Sequence, residues 1–281
     1  MAEQEKETSG HEWDGITEYK NPDPMWLRIT FYITVFFALG YWILFPSWPT
    51  PNDKGILNWT SENQLKAEMK ELHKAREEYQ TLFDNTAFDK IPNDNKLMRF
   101  ALLSGQSIFA NNCAMCHGAG GGGNPGYPNL TAGAWLWGGE LNDIYQTINY
   151  GIRSGHPDTR DSQMPAFGKD KMIPESDIKL MTQYVMHIAN LKPDASIDLK
   201  RAQEVFEVNC ASCHGSDAKG NRVVGAPNLI DAIWLYGSDY NTIYNVIYNG
   251  RNGVMPYWKG KLTDSEIKAV AIYVHQLGGG E

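Results

Sequence analysis

Two short stretches of this chain, Cys113-Ala114-Met115-Cys116-His117 and Cys210-Ala211-Ser212-Cys213-His214, hold the residues best suited to chemistry. In a C-x-x-C-H pattern the two thiols can add to the two vinyl groups of a haem, and the adjacent imidazole then lies under the iron. All four cysteines of the chain are used this way. A disulfide within either pair would close a small strained loop. Zinc is a better alternative, because C-x-x-C pairs are a known zinc spacing, but each pair here has its own histidine and the pairs lie almost a hundred residues apart. A redox dithiol is the remaining alternative. The pattern points to two covalently attached haem c groups, carried by Cys113, Cys116, Cys210 and Cys213, with His117 and His214 as axial ligands.

A six-coordinate iron needs a ligand opposite the histidine, and a soft thioether favours the ferrous state and suits electron transfer. Met164 and Met255 fit, since each precedes a proline that holds it extended and stiffens its loop. Met172 and His156 are the rivals for the first site; Met98, Met115, Met181 and Met186 suit a core. Which methionine caps which haem stays open. Two irons closed by methionine leave no position for oxygen or peroxide, which suits electron relay and argues against a peroxidase.

The elements that must position these ligands repeat. Phe109 and Asn112 precede the first motif as Phe206 and Asn209 precede the second, and Pro128-Asn129-Leu130 returns as Pro227-Asn228-Leu229. Trp135-Leu136-Trp137-Gly138 returns as Trp234-Leu235-Tyr236-Gly237, and Gly151 matches Gly250. Each copy ends in a predicted helix, one with Tyr184-Val185 and the other with Tyr273-Val274. Thirteen positions separate Gly151 from Met164 but five separate Gly250 from Met255, so about eight residues within 153–160 are inserted in the first copy. Phe109 and Phe206 are expected to pack the first helix against the last. Trp135, Trp137, Trp234 and Tyr236 can cover haem edges and offer N–H or O–H groups to propionates. Arg153 and Arg251, which follow the glycines, can pair with propionates or face solvent.

Ahead of the repeat, residues 26–45 form an apolar run broken by a single charge, Arg28, long enough to cross a bilayer, with Trp26, Trp42 and Trp48 near the ends. No small-x-small cleavage site follows, so a retained transmembrane helix is expected, stopped by Pro46, Pro49 and Pro51. In the connector, Ser61-Glu62-Asn63-Gln64 resembles a capping box, and Leu65, Met69, Leu72, Arg76 and Tyr79 continue at helical spacing. The expected organisation is a tail over 1–25, the transmembrane helix over 26–45, a connector with an amphipathic helix over 46–96, and cytochrome domains over 97–192 and 193–281. The fold class is mainly α, one N-terminal transmembrane helix followed by two tandem class I cytochrome c domains.

The 281 residues have a net charge of −8, and residues 1–25 hold two Lys against seven Asp or Glu. The haem-bearing part is close to neutral, which argues against nucleic acid and names no partner. Lys20 and Arg28 on one side of the helix against Lys54 on the other bias the N-terminus slightly towards the cytoplasm.

The tail His11-Glu12-Trp13-Asp14-Gly15-Ile16, Glu18-Tyr19 and Asn21-Pro22, the single helix, and both C-x-x-C-H and Met-Pro pairs together resemble one family. It is the membrane-anchored dihaem cytochrome c subunit, subunit III, of cbb3-type cytochrome c oxidase. The resemblance implies a cytoplasmic N-terminus and haem domains on the periplasmic side of a bacterial inner membrane. It implies electrons passing from a donor cytochrome c towards the monohaem cytochrome c subunit and the haem–copper oxygen-reducing subunit. It also implies that Pro128 and Pro227 lend their carbonyls to His117 and His214. The rival function is a free-standing anchored dihaem cytochrome, or the cytochrome subunit of a dehydrogenase, which would have no need of the tail.

Overall fold

The computed structural model describes residues 7–46, 54–193 and 197–281. The expected interfacial Trp48 and helix-stopping Pro49 and Pro51 lie outside these residues. The chain divides into two compact units, residues 1–77 and 78–281.

In the first unit the acidic tail forms a hairpin, β1 (Thr8–Trp13) and β2 (Ile16–Tyr19), with Trp13 opposite Ile16 and Glu12 opposite Thr17. Asp14 and Gly15 make its two-residue turn, both at positive φ (52° and 84°), as Asp-Gly turns require. Helix α1 (Met25–Leu44) matches the expected span within a residue at each end, and its apolar side chains are exposed along its length. That is the condition of a helix whose solvent is lipid. Thr30 and Thr34 donate to the Trp26 and Phe31 carbonyls at 2.9 and 2.8 Å, so neither hydroxyl is left unpaired in hydrocarbon. After α1 the chain turns back, and the Ile56 and Leu57 amides donate to the Ile43 and Leu44 carbonyls at 3.1 Å. Two carbonyls that end the helix are thereby satisfied.

Helix α2 (Ser61–Asn85) begins one residue earlier than the capping box in the sequence suggests: Thr60 is its cap, accepting from the Asn63 amide at 3.1 Å. The second unit takes up the end of α2, where Phe83 is fully buried beside Phe100, Ile91 and Leu97. A 3₁₀ segment, Phe88–Asn93, leads to α3 (Asn95–Asn112), capped by the Asp94 carboxylate on the Lys96 and Leu97 amides. The single turn α4 (Ala114–His117) and α5 (Leu141–Tyr150) complete the first copy up to its terminal helix, α6 (Glu175–Ile188). The second copy runs α7 (Leu199–Asn209), α8 (Ala211–His214), α9 (Tyr240–Asn249) and α10 (Asp264–His275).

The copies do not pack as the order of the chain suggests. Helix α10, from the second copy, makes its contacts with α3 and α5 of the first, while α6, from the first, packs on α7 and α9 of the second. Phe109 meets the Tyr273 ring at 5.5 Å and Phe206 meets Tyr184 at 5.4 Å. The expected packing of first helix on last therefore occurs, but between copies. At the α3–α10 crossing Gly105 lies against the Ala269 backbone and the Tyr273 β-carbon, and any side chain there would push the helices apart. The boundary near Lys192-Pro193 separates the copies in sequence without separating their cores.

Candidate haem sites

Each C-x-x-C-H stretch begins where a long helix ends. The Cys113 amide donates to the Phe109 carbonyl and the Cys210 amide to the Phe206 carbonyl, both at 2.8 Å, so the Phe-to-Cys spacing is a helical turn that seats the first thiol against a buried ring. Burial, helped by the neighbouring cysteine, pushes the Cys113 and Cys210 thiols up to about 11. Redox-active dithiols need the opposite, a depressed pKa. Zinc is also poorly served, since among the described residues no three His, Cys, Asp or Glu side chains converge.

His117 Nδ1 lies 3.1 Å from the Pro128 carbonyl and His214 Nδ1 lies 3.0 Å from that of Pro227. A carbonyl only accepts, so Nδ1–H donates and Nε2 keeps its lone pair for a metal. Burial lowers both imidazole pKa values and outweighs the proline carbonyls, which raise them. Both rings are thus neutral and oriented, the state a haem iron requires.

The methionines lie across the repeat. Met255 packs in the cluster of Phe109, Ile144, Ile148 and Val270, which Cys113 and Trp135 also join. Met164 packs in the cluster of Phe206, Ile243, Ile247 and Ile178 with Cys210 and Trp234. Backbone pairs hold them there: Met255 exchanges hydrogen bonds with Ile152, both 3.0 Å, and Met164 with Arg251, 2.9 and 3.1 Å. The repeat glycines explain the closeness. Gly151 faces the Met255 carbonyl and Gly250 the Met164 carbonyl, both at positive φ, and a β-carbon on either would collide with that oxygen. The rivals lie elsewhere. Met172 is 54% exposed, and His156 lies between Tyr150 and Tyr257, tilted against both rings at centroid distances of 4.9 and 5.4 Å.

Two buried atoms test whether a haem fits. The Nε atoms of Arg160 and Arg251 are buried without a hydrogen-bond partner. Arg160 lies over Trp137, 5.5 Å from the ring centroid, and Arg251 over Tyr236 at 4.5 Å, the same repeat position in both copies. A buried guanidinium N–H without an acceptor is costly, and a haem propionate at each site would supply one. The crevices therefore suit a group with acidic edges. Arg160 was not singled out in the sequence because the insertion displaces it; what marks it is that it ends the insertion, where the copies realign. Arg153, the expected counterpart of Arg251, instead donates to the Gly253 and Ser162 carbonyls. The Trp135 indole N–H is likewise taken, by the Gly279 carbonyl. Arg251→Gln is expected to lower the midpoint potential of one haem and leave the other near its wild-type value, since a lost positive charge destabilises the reduced iron; potentiometric titration of the two α-bands measures it.

The comparisons with known proteins show the family of the chain. Residues 5–52 match the family model for the N-terminal domain of cytochrome oxidase-cbb3, FixP. Residues 102–189 match the cytochrome c model, and residues 198–274 match that for cytochrome c oxidase, cbb3-type, subunit III. The chain is 46% identical over 276 residues to the cbb3-type cytochrome c oxidase subunit FixP of Bradyrhizobium sp. (strain ORS 278), covering 98% of this chain and 95% of that protein. It is 42% identical over 280 residues to the subunit CcoP of Cereibacter sphaeroides, covering 99% and 96%.

Proposed function

Because the chain belongs to the FixP/CcoP family of cbb3-type cytochrome c oxidase subunits, we propose that it relays electrons between two haems ligated across the repeat, His117 with Met255 and His214 with Met164. It is an electron-transfer subunit with two covalently bound c-type haems, part of an oxidase complex, and α1 is its membrane anchor. Bound haem supplies one-electron exchange between ferrous and ferric iron. The residues would hold it: Cys113 and Cys116, or Cys210 and Cys213, would anchor the ring, the proline carbonyl sets the imidazole tautomer, and the methionine loop would exclude water and oxygen. The donor is a soluble or tethered cytochrome c, and the acceptors are the monohaem subunit and then the haem–copper subunit. The N-terminus is cytoplasmic and the haem-bearing unit periplasmic.

The observation that carries this proposal is that each motif histidine is tied to a proline carbonyl, while the first cysteine of each motif, Cys113 or Cys210, shares an apolar cluster with the other copy's methionine. Purification in mild detergent should yield two haems per chain by pyridine haemochrome assay, together with a haem–copper subunit. A phosphatase fused after Lys54 should be active outside the cytoplasm and one fused before Trp26 inactive. Stoichiometric carbon monoxide binding by the isolated reduced subunit would contradict closed irons, and purification without an oxidase partner would favour a free-standing cytochrome.

A further inference from the structure

The inserted loop of the first copy has one side chain that reaches both methionine loops. Arg153 Nε donates to the Gly253 carbonyl at 2.7 Å and its Nη1 donates to the Ser162 carbonyl. Ser162 stands two residues before Met164 and Gly253 two residues before Met255, so the guanidinium grips equivalent points of the two Met-Pro loops. Both loops also carry a second tie to the other copy: the Gly168 amide donates to the Tyr248 carbonyl and the Trp258 amide to the Ile148 carbonyl, both at 3.1 Å.

The loop is built to aim this residue. Arg153 has a left-handed backbone, φ 49°, a conformation that costs energy for any residue with a β-carbon and persists only when its surroundings impose it. They do so here. The Arg153 amide donates to the Arg160 carbonyl at 2.9 Å, the Ser154 amide to Thr159 Oγ1 at 3.1 Å, and the Ser154 hydroxyl to the Tyr150 carbonyl at 2.6 Å. Burial lowers the Arg153 pKa while Tyr236 and Asp161 raise it, and a guanidinium keeps its charge throughout. The second copy has no counterpart. It lacks the insertion, and the Arg251 guanidinium lies over Tyr236 and donates to its neighbour's carbonyl, Gly250, at 2.8 Å.

We propose that Arg153 is a positioning residue that staples the Met164 and Met255 loops to each other, so that one side chain from the insertion steadies the distal ligands of both irons. This rests on the two methionines being the distal ligands. A planar fork with two charge-assisted bonds on two carbonyls is suited to the task, and an asymmetric insertion is the way a duplicated fold can place a single group between equivalent loops. The two haems then share one mechanical element, and loosening it should be felt at both.

The test uses the full-length protein in detergent with Arg153→Ala, Arg153→Gln and Arg153→Lys. Carbon monoxide can reach ferrous iron only when the methionine leaves, so its association rate reports loop opening. In Arg153→Ala the rate should rise on the order of tenfold or more at both irons, as expected for losing two charge-assisted hydrogen bonds. The sulfur-to-iron charge-transfer band of the oxidised protein should weaken while the haem count stays at the wild-type value. Arg153→Gln should behave similarly and Arg153→Lys should recover part of the wild-type rate. Unchanged rates, or an effect confined to one iron, would overturn the staple. Met164→Leu and Met255→Leu serve as controls: if neither diminishes the band, the ligand assignment itself fails. If each diminishes it and Arg153→Ala matches wild type, the staple alone is wrong.

Discussion

In a variant carrying Cys210→Ser and Cys213→Ser, which retains only the first haem, Met255→Leu is expected to abolish the sulfur-to-iron charge-transfer band. It should also open the ferrous iron to carbon monoxide. Met164→Leu in the same background should leave both properties as they were. The mirror experiment, with Cys113→Ser and Cys116→Ser, should make Met164 essential and Met255 dispensable. The expectation follows from packing: Met255 shares its apolar cluster with Cys113 and Phe109, and Met164 shares its own with Cys210 and Phe206. The backbone pairs of Met255 with Ile152 and of Met164 with Arg251 hold each loop over the other copy. Leucine has no donor atom, so each substitution is expected to leave an open iron rather than a weaker bond. If the single-haem proteins respond to the methionine of their own copy instead, the crossed ligation is wrong.

Neither copy is expected to fold alone. A fragment of residues 97–192 lacks α10, whose Ile267, Val270, Ile272 and Val274 are all at most 4% exposed against the first copy and its flanking segment. At about 1.5–3 kcal/mol for each buried side chain of this size, these four contribute about 6–12 kcal/mol, comparable to the entire stability of a small domain. A fragment of residues 193–281 loses α6 in the same way, with Ile178, Met181 and Val185. Each fragment should show little cooperative unfolding by circular dichroism and little haem incorporation. Co-expression of the two fragments should restore both. A stable, haem-loaded fragment of either copy by itself would mean that α6 or α10 can fold back onto its own copy.

The two outcomes together mark where local pattern stops carrying information. The hairpin of the tail illustrates one side: Asp14-Gly15 is a turn signal, but Thr8–Trp13 is too polar to announce a strand, and the pairing appears only once Trp13 meets Ile16. The cap of α2 illustrates the scale of ordinary error, since Thr60 and Ser61 are both capable and only the backbone geometry chose between them. Arg160 illustrates a deeper limit. Its equivalence with Arg251 is a matter of where two chains lie over Trp137 and Tyr236, and an eight-residue insertion hides it from any count along the sequence.

What the sequence determined by itself is the chemistry and the parts: two sets of thioether anchors and imidazoles, two Met-Pro loops, helices with one apolar face, and a single span of lipid-compatible length. Covalent motifs and hydrophobic periods are local, so they survive being read in one dimension. What only the tertiary structure decided is which part serves which. Helices α6 and α10 present nearly the same face, with Tyr184-Val185 in one and Tyr273-Val274 in the other, and each could satisfy either copy. A buried face records that it is covered and not by what. The choice came from long-range fit: Gly105 admitting α10 at close approach, and Gly151 and Gly250 admitting the opposite methionine carbonyls where any other residue would collide.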